Sequence, residues 1–244
     1  MGYTKIIQYG DTIETFQYSR SLSLSTRKTL TAIQKKRAAE RRKLRLTRSP
    51  FSCRRSVQNF FQLVHHNVYH AKTISFCTLT FANDYSHKQA SRYVSHFFHR
   101  IKKTQVEIPI HYISVPEFTK KGRIHYHLLI FNLPTQTVET ERNTRYLQRQ
   151  FSRGYLDILL ASHVSTGIAG YMAKYMSKSF THNNSPTWRG YNCSRNINKV
   201  SSYGSNSTIE DLEQFVDNSW ETNKQSYDTM WLGRCEKRTF KRDT

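Results

Sequence analysis

Two short stretches hold residue types that can do chemistry together. In Gly122-Arg123-Ile124-His125-Tyr126-His127, two histidines are separated by a single residue and followed by the apolar run LLIF. On a strand, side chains alternate between faces, so His125 and His127 point one way while Ile124, Tyr126 and Leu128 point the other. Two imidazoles roughly 7 Å apart on one face can hold a single divalent ion. Taken alone, His-x-His is more often a pair of exposed or hydrogen-bonded histidines than a ligand pair. The second stretch is Tyr171-Met172-Ala173-Lys174-Tyr175-Met176-Ser177-Lys178. At about 100° per residue, Tyr171, Lys174, Tyr175 and Lys178 share one arc of a helix, and Ala169, Met172 and Met176 form the adjoining apolar face. Two phenols interleaved with two ammonium groups could serve nucleophilic attack: a phenol of pKa about 10 is sluggish at neutral pH, and a neighbouring cation favours its phenolate. Taken alone, such a helix is more often an amphipathic one whose Tyr and Lys reach out to water.

These side chains need elements to position them. ISFCTLTF (74–81), IHYISV (110–115), IHYHLLIF (124–131) and GYLDILL (154–160) are rich in β-branched and aromatic residues and read as strands. Helical spacing marks 57–70, 89–103, 141–151 and 166–179. TKKG (119–122) is a turn signal, which predicts a hairpin of the second and third strands. A third ligand, Glu117, lies before that turn. A three-residue loop at Lys120 to Gly122 sets it opposite His125; a two-residue loop at Lys120-Lys121 sets it opposite Ile124, on the wrong face. His111 is the fallback ligand. A mixed imidazole and carboxylate site suits Mg²⁺ or Mn²⁺, and Zn²⁺ would compete for it. The pattern predicts an α+β fold, an antiparallel sheet with helices on one face.

Charge narrows the partner. The 244 residues carry 38 Lys+Arg against 17 Asp+Glu, a formal net charge of +21, with a pI near 10.0. Such a chain is best matched by a polyanion whose counterions it displaces, and nucleic acid leads. With 37% hydrophobic and 13% aromatic residues there is material for a core. No apolar run approaches the roughly 18 to 20 residues of a membrane span, so no membrane partner is expected. Cys53, Cys77, Cys193 and Cys235 are scattered without a C-x-x-C pair, as separate thiols in a reducing compartment would be. There is no GxxxxGK[S/T] phosphate loop and hence no sign of an NTPase.

Three parts are expected: a basic N-terminal arm over 1–55, a catalytic core over 56–182 and a polar extension over 183–244. The arm includes RKTLTAIQKKRAAERRKLRLTR (27–48), a basic helix in composition. The extension holds TIEDLEQFVDN (208–218), which reads as a short acidic helix with a capping box at Thr208 and Asp211.

FCTLTF (76–81), RIHYHLLIF (123–131) and YMAKYMSK (171–178) together, in this order and in a basic chain, resemble the three motifs of the HUH endonuclease superfamily. The nearest likeness is to two-tyrosine rolling-circle replication initiators, such as the gene A-type proteins of microviruses. The resemblance covers residues 74–180. It departs from many microvirus proteins in lacking clustered cysteines before the first motif, where only Cys53 stands.

The resemblance implies an HUH/RRM-like nuclease core that nicks single-stranded DNA at an origin. His125, His127 and Glu117 would hold Mg²⁺ or Mn²⁺; Tyr171 or Tyr175 would take the 5′ phosphate and free a 3′ hydroxyl; Lys174 and Lys178 would stabilise phenolate or phosphate. Arg41, Arg42 and Lys43 in the arm, with Lys120, Lys121 and Arg123 at the hairpin, are the expected DNA contacts. A host helicase and polymerase are the implied partners, in a bacterial cytoplasm, with a nucleus if the replicon is eukaryotic. Alternatives are a conjugative relaxase or transposase of the same chemistry, or a non-catalytic RRM-like nucleic-acid binder, which would expose aromatics where this chain has histidines.

Overall fold

The computed structural model describes residues 2–22, 31–34, 36–37, 40, 47–102, 109–119, 121–134, 141–161, 165–183, 188–206, 216–229 and 232–242. In chain order the elements are β1 (Tyr3–Tyr9), β2 (Thr12–Tyr18), α1 (Pro50–His70), β3 (Ile74–Phe81), α2 (His87–Lys102), β4 (His111–Phe118) and β5 (Ile124–Phe131). Then come α3 (Glu141–Gln150), β6 (Gly154–Leu160), α4 (Ser165–His182), β7 (Asn192–Cys193), β8 (Ser201–Ser205), β9 (Glu221–Thr229) and β10 (Gly233–Lys241). They form two compact units, one of residues 45–198 and one of 1–44 with 199–244.

The 45–198 unit is built on an antiparallel sheet of order β6-β3-β5-β4-β7. Its α+β class is as the sequence predicts, but helices cover both faces of the sheet, which corrects the expectation of one. The reason is β5, which is apolar on both sides and must be shielded on both. On one face Cys77, Leu79, Tyr126, Leu128 and Ile130 pack with Val94, Phe97, Phe98 and Ile101 of α2 and Leu147 of α3. On the other, Ile113, Val115, Leu129 and Phe131 pack with Phe60, Val64 and Val68 of α1 and Met172, Met176 and Phe180 of α4. Each such side chain, fully buried, contributes roughly 1.5–3 kcal/mol relative to exposure.

Helix α1 and strand β4 run longer than their sequence patterns predict. Helix α1 starts two turns before the predicted Val57, because Ser49 caps it, accepting from the Ser52 N–H at 3.2 Å, and Pro50 takes the first turn. Strand β4 runs past the expected Val115 through Pro116 to Phe118. The missing N–H of Pro116 is harmless there, because the short neighbour β7 pairs only with Ile113 and Ser114.

The second unit is an antiparallel sheet of order β8-β1-β2-β10-β9. Ile13, Phe240 and Val216 form its small core, with Ile6 and Trp220 against it. Lys237 binds the buried Glu14 at 2.6 Å, and Arg238 pairs with Glu221. Segments read from sequence as an arm and an extension thus join strand to strand, while 45–55 and 183–198 go with the core. The predicted acidic helix, over 208–218, falls almost wholly outside the described residues, as do Arg41, Arg42, Lys43 and Lys120. The four cysteines are free thiols. Among the described residues no helix is long and apolar enough to cross a membrane.

Candidate active site

The site forms where β3, β4, β5 and α4 meet. In β5, alternation turns His125 and His127 to the α4 side, and β3 sets a threonine opposite each: Thr80 pairs with His125 and Thr78 with His127. Thr80 Oγ1 lies 2.9 Å from His125 Nδ1 and Thr78 Oγ1 lies 3.4 Å from His127 Nδ1. A hydroxyl can donate or accept, so it suits either tautomer of the ring and leaves each Nε2 facing outward.

The hairpin adopts the first of the two registers open to the sequence. Thr119 N–H donates to Arg123 O at 2.8 Å, Gly122 takes a φ of 81° that favours glycine, and Glu117 pairs with His125 across the strands. Its carboxylate reaches the diagonal neighbour: Oε2 accepts from His127 Nε2 at 2.7 Å, and Oε1 accepts from Lys178 Nζ at 3.0 Å. Burial works to raise the Glu117 pKa, but the hydrogen bonds from His127 and Lys178 outweigh it and hold the carboxyl below its ordinary value. Burial also lowers His127, against the pull of Glu117. At neutral pH the pair is therefore a carboxylate facing a neutral imidazole, with the proton on Nε2.

Helix α4 buries Ala169, Met172 and Met176 and turns its phenols to the histidines. The Tyr175 ring stacks on His127 with centroids 3.8 Å apart and planes at 28°. Tyr171 Oη lies 2.7 Å from Tyr175 Oη, and Tyr171 remains 46% exposed. Phe76 of β3 flanks both His127 (5.9 Å) and Tyr171 (5.4 Å). Lys178 sits 5.1 Å above the Tyr175 ring.

Not every expectation survives this placement. The sequence reading has cations favouring the phenolate, whereas burial, the bond to Tyr171 and the Glu117 charge together raise the Tyr175 phenol above its ordinary value. Lys178 spends its charge on Glu117, and Lys174 is exposed, with no hydrogen bond or ion pair among the described residues. His111 is buried at the far end of β4, opposite Phe131 and six residue pairs from Glu117, so it is no ligand here. Lys121 is exposed beside the turn, and Arg123 pairs with Asp84 at 3.2 Å on the surface. No catalytic or metal-binding spacing marks Thr78, Thr80 and Phe76; their signal is the alternation inside FCTLTF, which puts all three on the histidine face.

The donor types fit a divalent cation: two imidazoles with Nε2 outward and a carboxylate, each imidazole held from behind by a hydroxyl. His127 Nε2 and Glu117 Oε2, the atoms such an ion would join, bind each other directly. Among the described residues no three His, Cys, Asp or Glu side chains already converge as a metal cage.

Residues 74–180 match the family described as Replication-associated protein ORF2/G2P. The match spans less than half of the chain and includes every side chain of this site, from Phe76 to Lys178. It supports a DNA-binding replication initiator. No curated protein and no solved structure matches the chain.

Proposed function

We propose that this chain initiates rolling-circle replication by nicking a single DNA strand at an origin and later rejoining the ends. The observation that carries this reading is the stacking of Tyr175 on His127 with Tyr171 in hydrogen-bond reach, so that phenols, imidazoles and carboxylate share one face.

In the cut, a phenolic oxygen of Tyr171 or Tyr175 attacks the phosphorus and the bond to the 3′ oxygen breaks. The phenolic proton ends on the departing 3′ hydroxyl, directly or through water. One phosphoester replaces another, so no nucleoside triphosphate is consumed. A divalent cation, Mg²⁺ or Mn²⁺, bound by His125, His127 and Glu117 would draw charge from the non-bridging phosphate oxygens. Because Tyr175 is held above the ordinary phenol range, its proton leaves only as the phosphate is engaged. Lys178 is engaged with Glu117, so it is the exposed Lys174 that is available to a phosphate. The hydroxyl-to-hydroxyl bond lets each phenol relay to the other, and the second tyrosine serves the closing cut. The freed 3′ end primes a host polymerase, with a host helicase opening the duplex, in a bacterial cytoplasm.

The test is incubation of the full chain with a labelled pool of random single-stranded oligonucleotides and Mn²⁺. A protein-linked band that survives denaturing electrophoresis is expected, on Tyr171 or Tyr175 by mass spectrometry. Binding without any such band would leave the non-catalytic reading.

A further inference from the structure

Beside the histidines, where β3 ends and β6 begins, lies a cleft of about 460 Å³ lined by Thr80, Ala82, Asn83, Tyr85, Arg153 and Tyr155 among others. It is continuous with the site, because Thr80, which holds His125, is also its wall. Register places Tyr155 opposite Thr80, one strand further along the histidine face, and its ring is 66% exposed. Asn83 offers both amide donor and acceptor, engaged among the described residues only by a long 3.5 Å contact to Tyr85 Oη. At the rim the Arg153 guanidinium is held 4.9 Å above the Tyr93 ring. No carboxylate lines the cleft among the described residues, and the nearby Asp84 is drawn to Arg123. Gly154 closes the floor backbone on backbone: a Cβ there would fall 2.0 Å from Thr80 O and 2.8 Å from Ala82 N.

We infer that this cleft takes one nucleobase of a single strand, stacked on Tyr155 and read at its edge by Asn83. Resting on the nickase reading, that base belongs to a nucleotide flanking the phosphate at His125 and His127. An exposed aromatic face, an amide and a cation without an opposing carboxylate match a base with its phosphate.

The test uses the full chain with a dT12 oligonucleotide, fluorescein-labelled for anisotropy and 5-iododeoxyuridine-substituted for photocrosslinking. Stacking is lost at about 1–3 kcal/mol per base on alanine substitution, so Tyr155→Ala should raise Kd at least about fivefold. Tyr155→Phe should stay within about twofold, and crosslinks should map to Tyr155. A Tyr155→Ala Kd within about twofold of wild type, with crosslinks elsewhere, overturns the cleft, even where wild type forms the tyrosine adduct. Equal competition by a poly-Glu dodecamer overturns the nucleobase assignment. Crosslinking at Tyr155 with no adduct on Tyr171 or Tyr175 under Mn²⁺ upholds the cleft and removes the nickase reading alone.

Discussion

Tyr175 lies ring on ring with His127, 3.8 Å between centroids, although 48 positions separate them in the chain. The imidazole that hydrogen-bonds Glu117 through Nε2 thereby presents its π face to a phenol. On the proposed function, a phosphate held at the histidine edge would lie beside the phenols of Tyr171 and Tyr175.

If either phenol can act, single changes should be mild and the pair severe. Tyr171→Phe and Tyr175→Phe are each expected to keep some covalent product. The double variant should lose it by at least about 10³-fold, since no phenol then remains to attack the phosphorus. Denaturing gels of the labelled adduct measure this, and product persisting in the double variant excludes both tyrosines.

The threonine behind His125 should matter through the imidazole it holds. Thr80→Val keeps the shape and removes the hydroxyl 2.9 Å from Nδ1. Loss of such an outer partner typically costs about 10–100-fold in metal affinity or activity. A Mn²⁺ titration of cleavage should shift to higher concentration, and an unchanged midpoint would refute the role given to Thr80.

Packing behind the tyrosines should be costly to open. Met172 is fully buried between α1 and the sheet. Met172→Ala should destabilise the fold by about 2–5 kcal/mol, read from denaturant unfolding with unchanged m.

One acid-linked loss of stability comes from outside the site. Burial, followed by His70 and His65, lowers His66 to about 4. Its folded pKa lies below the unfolded value of about 6.5, so its neutral form costs nothing above that value. As pH falls from about 6.5 towards 4, the unfolded chain binds the proton first and stability declines. Discounted for partial exposure, the loss is on the order of 1–2 kcal/mol. His66→Gln should flatten the melting-temperature profile between pH 6.5 and about 4; a slope equal to wild type would remove this assignment.

The sequence is most readable where side-chain period and secondary structure agree. IHYHLLIF and GYLDILL name their strands to the residue, and the interval from His125 to Tyr171 puts imidazoles on a strand and phenols on a helix. Two things were hidden for physical reasons. The ion pair of Lys178 with Glu117 depends on α4 crossing β4, a tertiary choice that no local spacing records. The terminal sheet is hard to read because its outer strands, SSYGS and ETNKQSYDT, expose nearly every side chain and lack an apolar period. The basic stretch and the hairpin lysine proposed to grip DNA bear on charge alone, a property that composition reports without position.

β2 is bonded to β1 on one side and to β10 on the other, with Ser19 and Arg234 in contact 215 positions apart. At ribosomal speeds of about 5–20 residues per second, the first hairpin waits roughly 10–40 s for the strand that completes its sheet. Through that interval residues 45–198 can fold while the early hairpin keeps a bare edge. Until β10 arrives, that edge presents unpaired N–H and C=O groups on which a strand of another chain can pair.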